Sequence, residues 1–342
     1  MEWPSEAMTF EGAATLNLGG TTARNHGQTG EDRNLRNVEA QVNAGAPGAL
    51  EAAFFAGASL ASLDPILRTQ ESWHGCWCAR LALSAAAASA RLFGRAEVEA
   101  DLRDVFALRQ PADDPGPAGR LLITWRSFAG RRPDLIFAME TAERDKLAET
   151  LGLPLSARLR VIAEKADALA KSERPAVFAA ADAASFAAKT LDYGRGSEIL
   201  AFLFADAVLA ARLRWPLFVP LLAGAVGHPL LRTGPFGKRA RPGDADWEKT
   251  CCLAYARAAE TAHDLARDLA RRAEKLEATL PKLRAKGAEA AVKKILDEDT
   301  VTAAMRPGNL SERAARRLFD RLVPLGVLRE LTGRPTFRLY GL

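Results

Sequence analysis

The sequence predicts a mainly α protein, a multi-helical body followed by a small C-terminal winged helix-turn-helix in which a β-hairpin forms the wing. Three observations predict it. Alanine-rich runs such as 83–90, with aromatic residues at only 7%, favour closely packed helices, since alanine is the strongest helix former. An apolar series at Tyr255, Ala258, Ala262, Leu265, Leu269, Ala273, Leu276, Leu280 and Leu283 steps by three or four residues, the spacing that lines one helix face. The third is charge. Residues 301–342 hold eight arginines, no lysine and three acids, so this segment alone carries a net +5, the formal charge of the whole chain.

Taken in order, residues 1–48 are rich in Gly, Asn, Thr and Glu, as in LGGTTARNHGQTGEDRN, and without periodicity, which predicts a disordered N-terminal segment. The helical body is expected over 49–285. Leu50, Phe54, Ala58 and Ala61 begin its first helix. A second runs over 76–93 and stops at Gly94, and a third covers 97–108. The proline- and glycine-rich stretch 111–119 predicts an irregular loop. Helices follow near 119–129, 141–151, 155–171, 176–190 and 195–213, then a loop over 229–246 that is basic at Lys238, Arg239 and Arg241. A long helix over 246–286 would span about 60 Å at 1.5 Å per residue, kinked at Pro281. Its apolar stripe fits packing against the body or, as the alternative, a homodimeric coiled coil.

The winged helix-turn-helix is assigned to 286–342. Its first short helix is expected at 299–304, its turn at Pro307-Gly308-Asn309, and its second helix from an N-cap at Ser311 to about Leu325. Ala315, Leu318, Leu322 and Leu325 form the buried face. Arg313, Arg316, Arg317 and Arg321 lie opposite, three of them four residues apart. After Gly326, residues 327–331 and 337–340 read as two strands around a turn at Thr332-Gly333-Arg334-Pro335. Phe337, Leu339 and Tyr340 would anchor this wing, with Arg334 at its tip. Guanidinium groups take phosphate oxygens or a guanine edge in bidentate fashion. The candidate DNA-binding residues are therefore Ser311, Arg313, Arg316, Arg317, Arg321 and Arg334, and the expected partner is duplex DNA.

Other features carry less. Asp206, in a helix apolar on nearly all sides, requires a hydrogen-bonding partner or a pocket, and with His228 it marks a candidate body pocket. The four cysteines (Cys76, Cys78, Cys251, Cys252) are spaced neither as a secreted disulfide framework nor as zinc ligands and are read as buried structural thiols. No catalytic, metal or cofactor site is assigned, for no phosphate loop, nucleophile elbow or dinucleotide fingerprint occurs. The best stretch for a membrane span, 199–226, is interrupted by Asp206, Arg212, Arg214, Pro216 and Pro220. It lacks the roughly 20 apolar residues a span needs. No membrane association and a cytoplasmic location are expected.

The phrases AAFFAGASLASLDPILR, WHGCWCARLAL, DDPGPAGRLL, LFADAVLAARLRWPLFVPLLA and LSERAARRLFDRLVPLGVLRELTGRPTFRLYGL resemble a bacterial family defined only as a domain of unknown function, number 1403, over about 50–342. That resemblance implies no activity. The final phrase is also similar to the C-terminal winged helix of Fic-domain proteins, whose enzymes transfer a nucleotide through a His-Pro-Phe…Gly-Asn-Gly-Arg loop. Here only His228-Pro229-Leu230-Leu231-Arg232-Thr233-Gly234 is present, without the acidic residue or the Gly-Asn-Gly. The resulting expectation is a DNA-binding or regulatory protein. The alternatives are an enzyme with a degenerate Fic-like site in the body and a protein-interaction adaptor.

Overall fold

Small side chains set the spacing of this fold. The computed structural model describes residues 48–342 except 111, 155–156, 226, 233–236, 284–286 and 335. The predicted N-terminal disorder therefore lies outside the described residues. The body begins with α1 (Ala49–Arg68), α2 (His74–Leu92), α3 (Glu99–Leu108), α4 (Gly116–Phe128) and α5 (Pro133–Phe137). It continues with α6 (Thr141–Leu151), α7 (Ala157–Ala170), α8 (Ala176–Thr190), α9 (Arg195–Arg212), the short α10 (Leu222–Ala225) and the long α11 (Trp247–Glu277). The chain closes with α12 (Ala288–Asp297), α13 (Glu312–Leu322) and the strands β1 (Arg329–Glu330) and β2 (Tyr340–Gly341).

Helix α9 is the centre. Every residue from Gly196 to Ala210 is buried, as expected of a helix enclosed on all sides. Its main neighbour is α8, which offers a face of Ala179, Ala180, Ala183, Ala184 and Ala187. Methyl-sized residues let two helix axes approach to the close end of the usual 8–10 Å. The segment 199–226, weighed as a membrane span, thus begins as the core helix of the body. Among the described residues, the one helix long and apolar enough to cross a membrane is instead α1. One side of α1, at Ala52, Ala56, Leu60, Leu63 and Leu67, is buried, and α11 is its principal neighbour. Its other side leaves Phe54 71% exposed.

The stripe on the long helix is filled from within the chain. Tyr255, Ala258, Ala262, Leu269, Ala273 and Leu276 are buried against α1, α8 and α10, the body-packing alternative of the two weighed. The helix ends at Glu277, nine residues short of the predicted 286, and a 3-10 turn at Leu280–Lys282 takes up Pro281. Helix α4 starts inside the predicted 111–119 loop because Pro117 occupies the first turn, where a missing amide costs nothing.

In the C-terminal segment the first helix expected at 299–304 is absent from its place. Residue 299 is a bend, Val301 bridges Tyr340, Thr302 is extended, and only a 3-10 turn, Ala303–Met305, follows. Asp299 causes this. Its carboxylate accepts from Arg80 at 3.0 Å and Arg103 at 2.7 Å, so the chain is pinned to the body where the helix was expected to begin. Helix α13 starts at the predicted cap, with the Ser311 hydroxyl accepting from the Ala314 amide at 3.2 Å. It stops at Leu322, which leaves Leu325 exposed and not in the buried face. Residues Leu339 and Tyr340 anchor the hairpin as expected, but Phe337 is 73% exposed. Its φ of 56°, a left-handed value unusual for a bulky residue, turns the ring outward.

Two close backbone approaches fasten this segment. A Cβ on Gly75, in the first turn of α2, would fall 2.0 Å from the Asp297 carboxylate and 2.6 Å from its carbonyl. A Cβ on Gly308 (φ +64°) would fall 2.3 Å from the Gly287 carbonyl, so glycine alone lets the 307–309 turn sit against the start of α12. Apolar side chains of α12, α13 and the hairpin join the same continuous core as the body helices.

Candidate nucleic-acid interface

Helix α13 is divided by its own periodicity. Ala315, Leu318, Phe319 and Leu322 are buried, with the Phe319 ring 4.7 Å from that of Tyr340 on β2. The opposite side carries Arg313, Arg316, Arg317 and Arg321, all exposed. Their surroundings differ. Arg316 pairs with Glu312 one turn earlier. Arg321 donates to the Lys282 carbonyl at 3.0 Å, which ties that flank of the helix to the end of α11. Arg313 and Arg317 meet no ion-pair or hydrogen-bond partner among the described residues. They form the crest of the exposed face.

The predicted wing tip is turned toward the body. Arg334 lies 2.5 Å from Asp104 on α3, and Arg338 lies 3.8 Å from Glu330 across the hairpin. A cleft of about 790 Å³ separates the hairpin from α3 and α13, walled by Arg109, Gln110, Glu312, Arg316, Asp320, Phe337 and Arg338 among others. Sequence reasoning missed Arg109 and Phe337. Arg109 directly follows α3 and carried no local signal of its own; Phe337 was assigned as an anchor because strand alternation gives no warning of a left-handed residue.

Asp206 and His228 are placed at opposite ends of α10. Asp206 is 1% exposed, and its carboxylate accepts from the Leu221 amide at 2.9 Å and the Leu222 amide at 3.2 Å. Burial pushes its pKa up to about 7, against the lowering effect of those two amides. The fully buried Tyr255 hydroxyl lies near it without reaching hydrogen-bond geometry. His228 follows the other end of α10, its amide donating to the Ala225 carbonyl at 2.9 Å. All four cysteines are buried free thiols. Burial raises Cys76 and Cys78 to about 12, which removes the thiolate character that reactivity needs. No cluster of three or more His, Cys, Asp or Glu side chains suited to a metal occurs among the described residues.

The family described as Protein of unknown function (DUF1403) matches residues 33–342, and the chain belongs to it. No curated protein matches the chain. The likeness of the final segment to Fic-domain proteins rests on the sequence phrase alone.

Proposed function

We propose that this DUF1403 chain binds duplex DNA through the exposed arginine face of α13, with the C-terminal segment acting as a winged helix. The order of elements supports the reading. Helix α12 is followed by a bridging residue at Val301, turns at 303–309, helix α13, and the β1–β2 hairpin, with both Val301 and β1 pairing with β2. In a winged helix that order sets the second helix against a small sheet and leaves its outer face for the major groove. One observation carries the proposal: Arg313 and Arg317, one turn apart, are exposed and without a partner among the described residues. An unpaired guanidinium is free to take phosphate or a guanine edge without first breaking an internal bond. Arg316 and Arg321 stand at its flanks and Arg334, held by Asp104, contributes only if that pair opens.

The test is the affinity of the full chain for duplex DNA as a function of salt, beside Arg313→Ala/Arg317→Ala. The double variant is expected to lower the slope of log affinity against log salt by about 2, at roughly 0.9 per phosphate contact. Absence of any duplex affinity for the folded wild type at low salt would sink the proposal. An interaction adaptor would instead retain a protein partner with no salt-dependent DNA binding.

A further inference from the structure

A second basic surface lies where α13 ends. A cleft of about 740 Å³ opens between the C-terminal half of α11 and residues 323–330, and its walls carry Arg271, Arg272, Lys275 and Arg329 against Asp268 and Glu330. The charges are badly matched. Asp268 accepts from Arg272 at 2.7 and 3.1 Å and from Arg271 at 3.3 Å, and Arg329 acts on the same carboxylate. One carboxylate thus pairs with two guanidinium groups and feels the charge of a third beyond contact distance. Glu330 is already turned toward Arg338, and Lys275 and Arg329 have no hydrogen-bonded or ion-pair partner among the described residues. Like charges gathered in a concave site bounded by protein repel one another until an anion arrives, and the same walls focus their field outward.

The cleft continues the arginine face. Arg313 to Arg321 cover about 12 Å along the helix at 1.5 Å per residue. Arg321 reaches the Lys282 carbonyl just beyond α11, and Val323, two residues on, is already in the cleft wall. We propose that this cleft holds backbone phosphate of the same DNA duplex whose groove receives α13, with Arg271, Lys275 and Arg329 as the phosphate contacts. The inference rests on the DNA-binding reading above and extends it from one helix to a track that runs from α13 onto the long helix of the body. Guanidinium and ammonium groups suit phosphate oxygens. A continuous polyanion, unlike a free ion, would engage the helix and the cleft together.

The experiment compares the full-length wild type, Arg271→Ala/Lys275→Ala and Arg313→Ala/Arg317→Ala in duplex binding across a salt series, with thermal unfolding in inorganic phosphate as a second measurement. Both positions in the cleft variant are on the surface, and unchanged far-ultraviolet circular dichroism would verify its fold. The expected result is a salt slope lower by one to two in the cleft variant, at about 0.9 per phosphate lost, with weakening that is the same for unrelated DNA sequences. A wild type that binds DNA, is weakened by the α13 variant and is unaffected by the cleft variant overturns the cleft assignment while leaving the function intact. Stabilisation of the wild type but not the cleft variant by inorganic phosphate, with duplex binding unchanged, assigns the cleft to a free phosphate and overturns the backbone reading. No duplex affinity in the wild type removes both.

Discussion

Two buried aspartates mark the difference between the interior of the body and its junction with the C-terminal segment. Asp206 and Asp299 are equally enclosed, at 1% and 3% exposed, yet their surroundings differ in kind. Asp206 has only neutral donors, the amides of Leu221 and Leu222, and burial raises its pKa to about 7. Burial opposes charge on Asp299 as well, but Arg103 and Arg80 outweigh it and hold that carboxyl below its ordinary value. Around Asp206 the interior is thus organised by packing, with the carboxylate met by backbone amides at the start of α10. The junction is organised by charge, with Arg126 and Glu298 forming a further pair beside it.

The comparison breaks first at Asp299. Replacing it with alanine leaves Arg80 without its carboxylate and Arg103 with only the exposed Glu99 at 3.7 Å, a loss expected to cost about 3–5 kcal/mol in denaturant titration. Because the folded pKa is lowered, the stability it supplies is present above the unfolded value of about 3.9 and disappears as pH falls through the folded one. The cost of the substitution should therefore shrink in acid, and a cost that grows there would contradict the ion-pair account. Next comes Gly75→Ala, whose methyl has no room beside Asp297 and which should cost about 1–3 kcal/mol. Its signature is loss of hydrogen-exchange protection at the end of α12, beside Asp297, with the core of the body retained; uniform loss of protection would place the damage elsewhere. The smallest effect belongs to Asp206→Asn. Wild-type stability from this group is greatest below about 4 and is lost as pH rises toward about 7, the reverse of Asp299. Relative to wild type, the asparagine variant should gain stability as pH rises from about 4 to about 7, and a relative loss over that range would refute the raised pKa.

Much of the helical body was legible because its elements are long and periodic. The runs 141–151, 176–190 and the start of 195–213 coincide with α6, α8 and α9, each bounded by Gly or Pro or by a change in polarity. The errors cluster where a distant partner decides local structure. Nothing near residue 299 announces that Arg80 and Arg103 will hold it out of a helix, and no spacing rule foretells a left-handed Phe337. The start of helix α13 and its arginine face could be read because Ser311 and the arginine spacing are local signals, whereas its end at Leu322 and the burial of Phe319 could not. The cleft beyond it could not, since Arg271 and Lys275 look like the solvated face of a long helix until Arg329 is brought beside them.

The link between Arg80 and Asp299 joins residues 219 positions apart, and that separation has a consequence in time. At about 5–20 residues per second of synthesis, roughly 10–45 s pass between the appearance of the two partners. During that interval the first turns of α2, with Gly75 waiting for a chain end that has not yet been made, form an unfinished surface on a growing polypeptide. A chain halted before residue 299 would carry the helices of the body without the Arg80–Asp299 contact that fastens the following segment to them.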